Sequence, residues 1–282
     1  MIMKAVQQFQ LGTVMNNEAQ TLETLRRMKE AGYDAIELCG FMIRPSGLAV
    51  KLLTKAAGMP VGSGGRLDWK RLVSESGLKV CAIHEDLGGM EKNTDAIIKE
   101  ASDFGTEYIV LTGMYRFAYN DHDAVSGLCG RMNAVGKTFA ENGVKLLYHN
   151  HNVEFLRTAG GERAYDILQQ KLDPEYVNFE FDSYWATDAG ANVPEIMRGL
   201  GPRMKLWHIN DRGTRQVGPA MTPILKSDSM ELGCGNMDLD TLSGIAKENR
   251  IDAVILESHR NWAEKSPIRS FEISAEYLNS RF

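Results

Sequence analysis

The residues best equipped for chemistry lie between Leu146 and Phe155, in the segment LLYHNHNVEF. A short apolar run (Val144, Leu146, Leu147) passes directly into His149 and His151, with Asn150 and Asn152 flanking the second histidine and Glu154 next along the chain. Such a run reads as a buried strand that opens onto a site. Side chains alternate along a strand, so Leu147, His149 and His151 share one face and Glu154 falls on the turn beyond. A single imidazole is commonly just a hydrogen-bonded residue. Two of them with a carboxylate form a constellation able to move protons or hold a metal ion.

Other apolar runs close on similar groups. Glu37 stands near the end of YDAIEL, His84 follows KVCAI, Asp182 follows YVNFEF, His208 lies in MKLWHI and Glu257 follows AVIL. Four of the six histidines fall at such places, which random surface placement explains poorly. A carboxylate from a sixth strand, an imidazole from a seventh, a carboxylate from an eighth and a further ligand from the fifth make a mixed nitrogen and oxygen set suited to one divalent ion.

These residues need a scaffold that gathers strand ends. Lys4 to Leu11 reads as a strand, Asn16 or Asn17 can cap a helix through Leu22, Leu25 and Met28, and Gly32 stops it before the next strand. The rhythm resumes with strands at Lys79 to Ile83, Tyr108 to Leu111, Tyr176 to Phe181, Met204 to Ile209 and Ala253 to Leu256, each followed by a helical stretch. Eight such units at intervals of about 30 to 35 residues predict a (β/α)8 TIM barrel forming a single domain over residues 1–282. Its active residues would then converge at the C-terminal ends of the strands. An irregular insertion at about 39–66 interrupts the rhythm, with a short helix expected over Leu48 to Ala57; it reads as a binding loop or a surface excursion. A doubly wound sheet is set aside, because the first turn, LGTVMNNEA, holds one glycine where a phosphate loop needs several.

Composition narrows the class. With 43% hydrophobic and 24% charged residues the chain has the makings of a sizeable core. No run approaches the ~18 apolar residues that span a bilayer, and no cationic segment leads an apolar one at the start, so a cytoplasmic protein without a membrane partner is expected. A net charge of −5 argues against nucleic acid. The four cysteines, Cys39, Cys81, Cys129 and Cys234, are too scattered for a zinc ribbon or a disulfide framework and are expected as reduced thiols.

The motifs YHNHNVEF, FEFDSYW, LWHINDRG and VILES resemble those of the xylose-isomerase-like barrels, often called sugar phosphate isomerase/epimerases. The resemblance implies that Asp182, His208 and Glu257 bind one divalent ion together with a carboxylate from the fifth strand. It also implies that Trp185 and Arg212 lie against the substrate. Many members carry a glutamate where this chain has His149, and the glutamate here comes five residues later, as Glu154. Glu154 is the expected fourth ligand, since it would complete a hard, oxygen-rich shell suited to Mn²⁺, with Mg²⁺, Co²⁺ or Zn²⁺ as alternatives; His149 is the rival.

The implied chemistry is proton removal next to a carbonyl through an enediolate, with the ion polarising the oxygens. His151 or Glu257 is the expected base, His149 a second acid/base, and His84, Arg212 and Glu37 hold the substrate. A metal-dependent sugar isomerase or epimerase is the first reading. A lyase of the same family, like inosose dehydratases or enzymes cleaving 3-keto C-glycosides with a second subunit, is the alternative. A non-catalytic sugar-binding barrel is the reading from another class. The expected partner is a small sugar or glycoside, in a homo-oligomer.

Overall fold

The computed structural model describes residues 1–45, 65–216, 218–219 and 222–282. Strands β1 (Met3–Gln7), β2 (Ala35–Cys39), β3 (Lys79–Glu85), β4 (Tyr108–Thr112), β5 (Lys145–His149), β6 (Val177–Asp182), β7 (Met204–Ile209) and β10 (Ala253–Leu256) hydrogen-bond in the order β1-β10-β7-β6-β5-β4-β3-β2 and close. Helices alternate with the strands, so the architecture is the (β/α)8 barrel that the sequence rhythm predicts. Two further strands, β8 (Asp211–Gly213) and β9 (Asp228–Met230), pair antiparallel in a separate hairpin. The sequence of that stretch shows only a loop, because three-residue strands carry too little alternation to be seen.

By packing, the chain divides into two compact units. The first holds Met1–Val80, Ile209–Ser243 and Val254–Phe282; the second holds Cys81–His208 and Gly244–Ala253.

In the first unit the helix Glu18–Ala31 starts where Asn17 accepts the Gln20 N–H at 3.0 Å, and ends at left-handed Gly32. Such a cap contributes about 1 kcal/mol. Leu25 and Met28 lie one turn apart on its buried face. β1 is shorter than the sequence suggests. Gln7 accepts the Phe9 N–H at 2.7 Å and turns the chain into a 3-10 helix over Gln8–Leu11. After β2 the described residues form a short helix, Gly40–Ile43, and the helix expected over 48–57 lies outside the described residues.

In the second unit β3 to β7 run parallel, with Thr112 beside His149, His149 beside Glu180, and Asp182 beside His208. Alternation decides what each face carries. On β6, Phe179 and Phe181 meet the ring of Tyr165, from the helix Ala164–Lys171, at 5.9 and 6.1 Å. Each fully buried phenylalanine contributes about 1.5–3 kcal/mol. Glu180 and Asp182 therefore project to the opposite face, away from the helix. Two short helices without a clear sequence signal come after β3 and β6, at Leu87–Lys92 and Ser183–Asp188.

Among the described residues no helix is long and apolar enough to cross a membrane. All four cysteines are free thiols, three buried and Cys234 exposed.

Candidate metal centre

The second unit gathers three histidines and two carboxylates at the ends of β3, β5, β6 and β7. His84, His149, Glu180, Asp182 and His208 are all buried. His84, His149, Glu180 and His208 each offer a ligand atom within 4.8 Å of the others, and His149, Asp182 and His208 do so as well. The imidazoles of His149 and His208 lie with ring centres 4.5 Å apart, steeply inclined to each other.

Three imidazole nitrogens converge on a single carboxylate oxygen. Glu180 Oε2 lies 2.9 Å from His84 Nε2, 3.0 Å from His149 Nδ1 and 3.2 Å from His208 Nε2. The other nitrogen of His84 meets Thr112 Oγ1 at 2.6 Å. Burial alone would raise the Glu180 carboxyl, but the imidazoles of His208, His84 and His149 outweigh it and hold the group well below the usual range.

Asp182 divides its work between two oxygens. Oδ1 accepts the Trp185 N–H at 2.7 Å and so caps the helix Ser183–Asp188, while Oδ2 stands 4.0 Å from His208 Nδ1. Asn150 holds the strand ends in register beyond the last ladder pair. Its side chain accepts the Asp182 N–H and donates to the Asp182 carbonyl, both at 3.0 Å, which imitates one more rung between β5 and β6.

Glu154 sits elsewhere. The 3-10 turn Val153–Phe155 carries it inward, where Oε1 accepts from Tyr148 at 2.8 Å and Oε2 accepts the His151 N–H at 2.9 Å. The Tyr119 hydroxyl joins Tyr148 at 2.9 Å and accepts the Met114 N–H at 2.9 Å. Burial raises the Glu154 carboxyl, and the hydrogen bond from Tyr148 offsets only part of that. Gly113, at φ +50°, passes close over this group: a Cβ there would come within 3.3 Å of Glu154 Oε1 and of the Tyr119 hydroxyl. The sequence pattern points to Glu154 as a ligand, and both of its oxygens are engaged in this separate network.

The His151 ring lies 4.9 Å from that of His149 and 6.0 Å from that of half-buried Trp185. Glu37, Arg212 and Glu257 belong to the first unit. Glu37 is buried in β2, Arg212 is half-buried in β8, and buried Glu257 follows β10 with its N–H on the Ile209 carbonyl at 3.2 Å. Sequence reasoning misses Glu180, Asn150, Tyr148 and Thr112. For Glu180 the signal is present in FEFD, since a residue two before Asp182 on a strand shares its face.

Nitrogen and carboxylate donors this close, dry and held by surrounding hydrogen bonds fit a divalent ion. The sequence pattern of the xylose isomerase-like TIM barrel family matches residues 25–281. The chain belongs to this family. A solved sugar phosphate isomerase/epimerase from Parabacteroides distasonis superposes with a TM-score of 0.72 at 22% identity, over 99% of this chain and 94% of that one. The IOLI protein with a bound zinc atom superposes with a TM-score of 0.67 at 16% identity, over 100% and 99%. An inosose dehydratase from Clostridium botulinum is 20% identical over 185 residues, which span 61% of this chain and 58% of that protein. The match thus spans little more than half the length of that curated relative.

Proposed function

We propose that this member of the family is a divalent-metal-dependent enzyme that removes a proton next to the carbonyl of a small sugar or related polyol ketone. His149, Asp182 and His208, joined by Glu257, would hold the ion. The clustering of His149, Asp182 and His208 carries this reading. A bound ion supplies Lewis-acid polarisation of the carbonyl and its neighbouring hydroxyl. His151, whose backbone is fixed by Glu154 and whose ring stands against Trp185, takes the proton. The electron pair of the broken C–H bond shifts toward the carbonyl, and Trp185 and Arg212 bind the rest of the substrate. Mn²⁺ is the preferred ion, since carboxylates supply half of the proposed donors.

Two outcomes are open once the proton has left. Return of a proton to the neighbouring carbon, or to the other face, gives isomerisation or epimerisation. Departure of a β-hydroxyl, protonated as water, gives elimination. Epimerases of this family use two opposed carboxylates, whereas here the fifth strand presents His149 and Glu154 is engaged by Tyr148 and the His151 N–H. That arrangement favours elimination, and the similarity to an inosose dehydratase supports the same side.

The test is metal analysis of protein purified without chelator, then incubation of ketoses, inososes and 3-keto-glycosides with Mn²⁺ in deuterated water. Bound metal and turnover to an unsaturated product or a labelled isomer are expected. Protein that takes up no divalent ion and turns over none of these would overturn the enzyme reading and leave a sugar-binding barrel.

A further inference from the structure

The two faces of β5 carry different groups. Alternation turns Tyr148 away from His149, to the face where Phe179 stands beside it in the ladder and meets the ring of Tyr165. On that face a chain of side chains runs from one loop to the next. The Met114 N–H donates to the Tyr119 oxygen at 2.9 Å, Tyr148 donates to Glu154 Oε1 at 2.8 Å, and the His151 N–H donates to Glu154 Oε2 at 2.9 Å. A phenol has one proton to give. Since that of Tyr148 goes to Glu154, the 2.9 Å contact between the two hydroxyls is a bond donated by Tyr119 to Tyr148. We infer that Tyr119, Tyr148 and Glu154 form a clamp coupling the loop after β4 to the loop after β5, and that Tyr119 and Tyr148 are thereby positioning residues for His151. The consequence for turnover rests on His151 as the base of the proposed function. The clamp itself rests on the hydrogen bonds alone.

Tyr119, Tyr148 and Glu154 are all buried. In such a place a broken link leaves a donor or acceptor that water cannot reach, so the links hold or fail together. The loop after β4 also lies directly against the group that the clamp serves. At Gly113, with φ +50°, a Cβ would come within 3.3 Å of Glu154 Oε1 and of the Tyr119 hydroxyl, and within 3.5 Å of His151 Nδ1. A shift of this loop therefore reaches the imidazole as well as the clamp. Tyr165 provides the contrast, because it is fully buried yet its hydroxyl has no hydrogen-bond partner among the described residues.

The experiment is NMR of the full-length, metal-free protein, reading amide hydrogen exchange at Met114 and His151 and the ring signals of His151. Tyr119→Phe takes the acceptor from the Met114 N–H, so that amide exchanges faster with or without a clamp. Coupling predicts that the His151 amide, at the far end, also exchanges roughly tenfold faster and that its ring signals move. Tyr148→Phe should do the same, and Tyr165→Phe should change neither amide. A His151 amide and ring at wild-type values in folded Tyr119→Phe and Tyr148→Phe overturn the inference. Should both variants fail to fold, the wild type decides: hydroxyl protons of Tyr119 and Tyr148 in slow exchange with water support the clamp, and hydroxyl signals averaged into water overturn it. With Mn²⁺ and whichever ketose, inosose or 3-keto-glycoside turns over, the two variants should lose roughly 10- to 100-fold in kcat at nearly constant KM and Mn²⁺ affinity. Unchanged kcat in both would overturn the positioning role. Coupled His151 signals in a protein that turns over none of these compounds would support the clamp while removing the proposed function.

Discussion

The Tyr148 hydroxyl donates to Glu154 Oε1 across 2.8 Å, inside a pocket that also holds the Tyr119 hydroxyl and the His151 N–H. Both Glu154 oxygens are thus engaged, one by Tyr148 and the other by the His151 N–H. Glu154→Gln is expected to retain bound metal, whereas His149→Ala and Asp182→Asn are expected to lose it. Metal content of the three variants, measured side by side, checks this; loss in the glutamine variant would return Glu154 to the ligand set.

The same carboxyl gives a pH dependence. Its folded value is raised by burial. The stability that a protonated Glu154 provides is complete below its unfolded value and is lost as pH rises through the folded one. Glutamine does not ionise, so Glu154→Gln should gain stability relative to wild type as pH rises from the carboxylate range toward neutrality. Denaturation midpoints of both proteins across that range measure it.

Two carboxylates of the first unit act in the reverse sense. Burial would raise Glu231, but the Ala263 N–H at 2.7 Å and the Arg215 guanidinium hold it below the usual range. Burial likewise opposes the lowering of Asp228, which the Arg260 guanidinium at 2.9 Å and the Ser229 N–H bring about. Their stabilisation is present above the unfolded values, near pH 4, and is lost as pH falls through the lower folded values. The acid limb of unfolding should be less steep in Glu231→Gln than in wild type.

Asp211 is a structural counterpart within the HINDRG motif. Its two oxygens accept the N–H groups of Arg212, Gly233, Gly235 and Met237 at 2.8 to 3.1 Å and tie the hairpin to the segment after it. Asp211→Ala leaves several of these donors unsatisfied and should cost about 3 kcal/mol or more, with Asp211→Asn costing less. Gly235→Ala should also destabilise, since a Cβ there would lie 2.4 Å from Asp211 Oδ1. Equilibrium denaturation provides the measure.

Much of the fold and the site is legible in the sequence wherever strand alternation applies. Apolar runs ending in His84, Asp182 and His208 locate β3, β6 and β7, and the regular spacing implies the barrel. Residues escape when their role depends on leaving that alternation or on lying one layer deeper. Glu154 reads as a turn residue near the strand end, yet the 3-10 turn swings it onto Tyr148, a contact that spacing does not encode. Glu180 reads as an ordinary member of a buried strand because its partners come from three other strands. Asp211 is inconspicuous beside Arg212 because its four N–H donors are spread along 212–237.

Metal binding and proton transfer should separate at His151. It stands beside His149, with its ring against Trp185 and its N–H on Glu154, but it is not among the groups that cluster on Glu180 or with Asp182. An imidazole titrates near neutral pH and is suited to take a proton, an effect worth typically 10²- to 10⁴-fold in rate. A metal ion at a hundredfold excess over its Kd should stabilise the wild type by about 2.7 kcal/mol, a rise of roughly 5 °C in Tm for a chain of this size. His151→Asn should show the same rise while turnover falls roughly 10²- to 10⁴-fold. His208→Ala should lose both. Thermal scans with Mn²⁺ and with chelator, run beside deuterium exchange at the carbon next to the carbonyl, distinguish the two variants; full exchange in the asparagine variant would move the base elsewhere, with Glu257 the next residue to test.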